Sequence, residues 1–100
     1  MIYLTQLIFI KEGKEDTFNE FENFAIPLLQ KYGGEIIYRV RPSKNNFIDE
    51  SKETPYEIHI ISFNSNEDFK EFMNDKKRLE FIHLKNESIK STILVKGEKL

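Results

Sequence analysis

Residues 2–34 read IYLTQLIFIKEGKEDTFNEFENFAIPLLQKYGG, and the change of period inside them decides the fold. Ile2 to Ile10 is rich in β-branched and aromatic residues and holds only two polar ones, Thr5 and Gln6. Such a run is a strand apolar on both faces, hence a central strand. Lys11-Glu12-Gly13 breaks it. From Lys14 to Tyr32 the apolar residues Phe18, Phe21, Ala25, Leu28, Leu29 and Tyr32 fall at helical spacing. Glu15, Asn19, Glu22 and Lys31 take the other side. Thr17 to Glu20 fits a capping box, and Gly13 or Lys14 offers an equally good start. Pro27 lies within the helical pattern and should bend it, freeing the Asn23 carbonyl. Such a bend could open a pocket over the sheet. Gly33-Gly34 ends the helix with a left-handed cap.

Working outward, Glu35 to Arg41 (EIIYRVR) is a second strand. Pro42 to Pro55 (PSKNNFIDESKETP) reads as a hairpin loop longer than usual. Tyr56 to Phe63 (YEIHIISF) is a third strand. Ser65 caps a helix that Asp68 supports from the third position, with Phe69, Phe72 and Met73 as its buried stripe. Asn74-Asp75 interrupts that helix. It resumes from Lys77 to Lys85 with Leu79, Ile82, His83 and Leu84 turned inward. Ile89 to Lys96 (IKSTILVK) is the last strand. The order β-α-β-β-α-β is the ferredoxin-like α+β arrangement: an antiparallel sheet of order 4-1-3-2 with two helices on one face. One domain spanning residues 1–100 is expected.

Composition narrows the function classes. The 100 residues carry a net charge of -2 and no cysteine. Disulfides, thiolate metal sites and cysteine nucleophiles are excluded. No apolar run reaches the roughly 18 residues of a membrane span. Near-neutral charge argues against nucleic-acid binding. The N-terminus lacks a basic stretch and a small-residue cleavage site, so a cytoplasmic protein is expected. Nine Phe and four Tyr stand against no Trp. Phe18, Phe21, Phe69 and Phe72 belong to helix stripes and read as core, not as a ligand box.

Alternation along each strand divides the sheet into two faces. One collects Ile2, Leu4, Ile8, Ile36, Val40, Ile58 and Ile60. The other collects Leu7, Phe9, Ile37, Ile61 and Phe63, together with Thr5, Arg39, Glu57 and His59. Two helices cover one face only. Burying each large apolar side chain on the second is worth about 1.5–3 kcal/mol. A homodimer that pairs the sheets face to face is therefore expected, closing a dimeric α/β barrel. The alternative cover is the long loop or the C-terminal tail.

Phe21-Glu22 through Pro27-Leu28-Leu29, then Lys31-Tyr32-Gly33-Gly34, resembles a helix ending in a proline-containing turn and a double glycine. That pattern is found in domain of unknown function 1330. The strand Glu57 to Phe63, with Ser65, Phe69, Phe72 and Asp75, is similar to that family's second half. The resemblance covers most of the chain and implies the dimeric α/β-barrel superfamily. Relatives by fold include antibiotic-biosynthesis monooxygenases, haem-degrading enzymes and the NIPSNAP group. The Pro42–Pro55 loop is longer than the family pattern.

His59 is the leading candidate for chemistry. It lies mid-strand between Ile58 and Ile60, and Arg39 and Glu57 share its side. A hairpin pairing Arg41 with Glu57 sets Arg39 opposite His59. Such a group could bind an anion or let His59 act as acid or base near neutral pH. A hydrogen-bonded cluster at a dimer interface is the plainer alternative. Tyr38, with Tyr3, Tyr32 and Tyr56, could line a pocket for a planar ligand. His83, beside Arg78 and Lys85, could ligate a haem iron as in some fold relatives, although a lone helix histidine is more often structural. Neither HExxH nor a glycine-rich phosphate loop nor a nucleophile elbow occurs, so no cofactor and no metal are expected. Three functions remain open. The first is binding of a small organic molecule between helices and sheet. The second is cofactor-independent oxygenase or isomerase chemistry on an aromatic or polyketide-like substrate, with Arg39 holding an oxyanion. The third is a structural or interaction module.

Overall fold

The computed structural model describes residues 1–49 and 52–100. In chain order it runs β1 (Ile2–Ile10), α1 (Glu15–Leu28), β2 (Glu35–Val40), β3 (Glu57–Phe63), α2 (Asn66–Met73), α3 (Lys76–Glu80), α4 (Ile82–Ser88) and β4 (Ile89–Gly97). Among the described residues the strands form one antiparallel sheet of order β2-β3-β1-β4. This is the order the element sequence predicts, with the doubly apolar β1 inside it. The loop expected from Pro42 to Pro55 contains a 3-10 turn at Lys44–Asn46. Residues 50 and 51 of that loop lie outside the described residues.

Local chemistry sets the ends of α1. Gly13 makes the preceding turn at φ +79°. The helix begins at Glu15 with Lys14 as its cap, so the Thr17 box is not used. Pro27 stays inside α1, and the chain tightens into a 3-10 segment at Leu29–Tyr32 directly after it. Gly33 then adopts φ +71° and closes the turn, and Gly34 N–H donates to the Leu29 carbonyl at 2.8 Å.

The buried stripe of α1 is Phe18, Phe21, Glu22 and Ala25. Glu22 therefore faces inward, where the amphipathic division placed it outward. Its position four residues after Phe18 and three before Ala25 is central to the stripe, and the geometry of the helix carries it in. A second correction concerns the last helical region. Asp75 caps α3 by accepting from Arg78 N–H at 2.9 Å, and the chain breaks again at Phe81. The Asp75 cap sets the phase of α3, so Arg78 turns inward and Leu79 outward; in α4 Leu84 is buried as expected, but His83 is exposed.

The faces of the sheet also differ from the expected division. Even-numbered residues of β1 pair with odd-numbered residues of β3: Leu4 with Ile61, Gln6 with His59, Ile8 with Glu57. Ile2, Leu4, Ile8 and Ile36 thus share the helix-covered side with Ile61, Phe63, Arg39, Glu57 and His59. Ile58, Ile60 and Val40 turn to the open side with Thr5 and Leu7. Alternation fixes which residues of one strand agree; only the register between strands fixes which sets match. The main core cluster forms on the covered side around Leu4, Leu29, Phe63 and Phe72.

Candidate functional site

Three elements bring the polar group together. β3 turns Glu57 and His59 toward the helices, and α1 lowers Glu22 onto them. In β2, Ile36 pairs with Ile61, but Tyr38 pairs with Ile60 and Arg39 with His59. Ile37 is the extra residue of a bulge. The bulge reverses the alternation, so Ile36 and Arg39 both face inward.

Glu57 is 1% exposed and His59 2% exposed. Arg39 Nε donates to Glu57 Oε2 at 3.0 Å, and Arg41 Nη2 donates to Oε1 at 2.6 Å. Arg41 also reaches Asn19 Oδ1 at 2.9 Å, which ties α1 to this corner. Its guanidinium lies 4.5 Å from the centre of the Tyr56 ring. His59 Nε2 hydrogen-bonds to Glu57 Oε2, and Glu22 Oε2 lies 4.0 Å from the same nitrogen.

These contacts separate two buried carboxyls. Burial alone pushes Glu57 up, but hydrogen bonds from His59, Arg39 and Arg41 overcome it and hold the carboxyl down at about 2. Glu57 is therefore an acceptor only, and His59 Nε2–H donates to it. Burial raises Glu22 above its ordinary value; nearby His59 lowers it in part, and Glu57 adds to the rise. One fixed anion thus orients a histidine, and a second carboxyl, which burial biases toward its protonated form, stands beside it. That is the division between partners that acid–base chemistry needs.

A cavity of about 290 Å³ lies between α1 and the sheet. Gln6, Glu22, His59, Arg78 and Lys85 give it polar groups; Leu4, Leu29, Ile61, Phe63 and Met73 are among its apolar lining. Ala25, Ile26 and Leu29, around the proline, also border it. Phe21, Phe69 and Phe72 line it as well, so the helix phenylalanines serve both core and cavity.

Of the four residues singled out from sequence, Arg39, Glu57 and His59 come together. Tyr38 does not: the bulge turns it to the open face, where it is 64% exposed. No tyrosine lines this cavity. Tyr32 donates to Asp75 Oδ2, and Tyr56 packs edge-on against Phe18. His83 is exposed and away from the cavity lining. Arg39 is committed to Glu57, so the arginine that lines the cavity is Arg78. Sequence reading missed Glu22, Arg78 and Lys85. The signal for Glu22 was its place in the apolar stripe; for Arg78 it was Asp75, a helix cap three residues before it.

Glu22, Glu57 and His59 offer ligand atoms within 4.8 Å of one another, close enough for a metal ion. The surrounding charge opposes one. Arg39 and Arg41 already occupy Glu57, and Arg78 and Lys85 border the same cavity. The excess of four cationic side chains over two carboxyls repels a divalent cation.

No protein-family model matches the chain, and no curated protein matches it. Solved structures do. A protein of unknown function from Rhodopseudomonas palustris superposes with a TM-score of 0.83 at 12% identity, covering 99% of this chain and 82% of that one. A candidate antibiotic biosynthesis monooxygenase from Nitrosomonas europaea gives 0.74 at 10% identity over 100% and 99%. A dimeric protein of ferredoxin-like fold from Bacteroides fragilis gives 0.69 at 13% identity over 98% and 95%. The fold is ferredoxin-like. Identities this low establish the fold alone. Among the described residues no helix is long and apolar enough to cross a membrane.

Proposed function

We propose that this ferredoxin-like protein binds a small, largely apolar organic molecule in the cavity under α1 and moves a proton to or from it through His59. The observation that carries the reading is the Glu57–His59 hydrogen bond at the wall of an apolar cavity. Glu57 orients the imidazole and stabilises it when protonated; Arg39 and Arg41 keep Glu57 ionised and in place. Glu22 sits beside the histidine as a second proton carrier. An apolar lining excludes water and strengthens each polar contact within it. An isomerase or a cofactor-independent oxygenase would both begin with such a proton transfer.

Phenylacetone provides a test, because its benzylic protons exchange slowly in neutral heavy water. Proton NMR should show exchange faster with the protein than in buffer, and His59→Gln should remove the excess. Equal rates for the protein, the variant and buffer would overturn the proposal.

The second part of the proposal is a homodimer formed through the open sheet face. Tyr38, Val40, Ile58, Ile60, Ile93 and Val95 lie there, and Val95 is 56% exposed. A face of this kind associates to remove apolar surface from water. Membership of the domain of unknown function 1330 group belongs to the same proposal. It rests on the proline-containing helix end and the double glycine.

A further inference from the structure

Among the described residues, Arg78 carries the one buried side-chain donor left without a partner. It is 6% exposed, yet it lies on α3 with its guanidinium against two rings, 5.8 Å from the centre of Phe21 and 5.4 Å from that of Phe72. One of its N–H groups donates to the Met73 carbonyl at 3.1 Å. Its Nε is buried and has no hydrogen-bond partner among the described residues. A buried donor without an acceptor is costly, and a buried cation more so.

Its charged neighbours do not remove the difficulty. Asp75 accepts from Arg78 through the backbone N–H, and its other oxygen is held by Tyr32 and Lys31. Lys85, half-buried on α4, borders the same cavity and adds a like charge within reach of Arg78. Glu22 is the remaining counter-charge, and burial favours its protonated form. Whenever Glu22 holds its proton, two cations face the cavity with no anion of their own. Beyond Gln6, His59 and Thr92, the rest of the lining is apolar and aromatic.

From this arrangement we infer that the cavity takes a small organic carboxylate, with its carboxylate on Arg78 and Lys85 and its apolar body among Leu4, Ile61, Phe63, Phe69 and Phe72. The inference rests on the cavity being the ligand site proposed above, and names the class of molecule that enters it. The planar fork of a guanidinium matches a carboxylate edge, and a neighbouring ammonium adds a point charge. Glu22 lies within electrostatic reach of both Arg78 and His59. The bound anion would therefore hold the reacting carbon of its own chain toward the histidine. Protonated Glu22 can donate a hydrogen bond to it without adding negative charge.

The test compares phenylacetate with phenylacetamide, which match in shape and differ in charge. Calorimetric titration of the full chain at low salt should show the acid binding about tenfold tighter than the amide, or more. Saturation with phenylacetate should move the Arg78 Nε–H resonance in a nitrogen-15 spectrum, because that proton gains an acceptor. Arg78→Met should bring the affinity for the acid down to that of the amide. Should Arg78→Met fail to fold, Lys85→Gln gives the second arm: weaker binding of the acid, unchanged binding of the amide. Equal binding of acid and amide would overturn the inference, as would binding of neither, or acid binding that leaves the Arg78 Nε–H unmoved. Equal binding would leave the proton-transfer reading standing, since exchange on the neutral phenylacetone is measured separately.

Discussion

Glu22 Oε2 stands 4.0 Å from His59 Nε2, a carboxyl from the helix layer meeting an imidazole from the sheet. Both residues are buried. Because burial raises the Glu22 pKa, folding favours its protonated form. The stability it contributes is full below its unfolded value and is lost as pH rises through the raised folded value. Glu22→Gln, which mimics the protonated form, should therefore raise the melting temperature at about pH 7 and change it little at about pH 4. Calorimetric melts at the two pH values check this. A variant less stable at neutral pH would show that Glu22 is held ionised by Arg78 and His59.

The opposite sign applies to Glu57. Its folded pKa is held down at about 2, against an ordinary value of 4.5. The stability it provides is present above the ordinary value and disappears as pH falls from about 4.5 through about 2. Asp75 is also held down to about 2 from an ordinary 3.8, chiefly by the Tyr32 hydroxyl and the Arg78 backbone N–H, and its contribution is lost as pH falls from about 3.8 through about 2. Acid unfolding followed by circular dichroism should therefore be steep in that range. Glu57→Gln should flatten it in part and destabilise the neutral protein by about 1–3 kcal/mol, since one of the two acceptor oxygens becomes a donor and the charge facing Arg39 and Arg41 is lost.

Gly34 and Gly33 should respond differently to alanine. A Cβ on Gly34 would lie 2.7 Å from Phe63 Cε1 and 3.1 Å from the Leu29 carbonyl oxygen, both in packed surroundings. Gly34→Ala should cost about 1–3 kcal/mol through overpacking. At Gly33 the close contact is with the Asn64 side-chain amide, which can swing away. The cost there is the left-handed backbone, about 1–2 kcal/mol. Adding Asn64→Ala should relieve nothing at Gly33 if conformation dominates; urea melts of the single and double variants decide it.

Charges placed on the open sheet face should dissolve a dimer. Val40→Asp with Val95→Asp puts carboxylates on β2 and β4 of that face. Sedimentation should show the parent as a dimer at micromolar concentration and the double variant as a monomer with its far-ultraviolet spectrum intact. A monomeric parent would remove the homodimer proposal.

Much of the fold was legible because it depends on local signals. The period change after Gly13, the Ser65 cap and the double glycine each mark an element boundary in a few residues. The order of those elements then implies the sheet order. The site was less legible because it depends on phase. Arg39, Glu57 and His59 were found together, yet their side of the sheet depended on the β1–β3 register, which no single strand encodes. Glu22 was set aside as polar although its neighbours Phe18, Phe21 and Ala25 define the stripe that contains it. Arg78 was hidden because the Asp75 cap, which starts α3 in a phase of its own, turns a charged residue inward in place of its apolar neighbour Leu79.

The bulge at Ile37 makes the site depend on a count. Were Ile37 to take a rung of its own, the ladder that begins Glu35 with Ser62 and Ile36 with Ile61 would continue in step. Tyr38 would then face His59, and Arg39 would project from the opposite surface. Flattening the bulge would exchange a cation for a phenol beside the buried glutamate, whereas deleting Ile37 outright would leave Arg39 opposite His59. The placing of one unpaired residue, and not the identity of any residue around Glu57, thus decides which side chain of this strand meets the histidine.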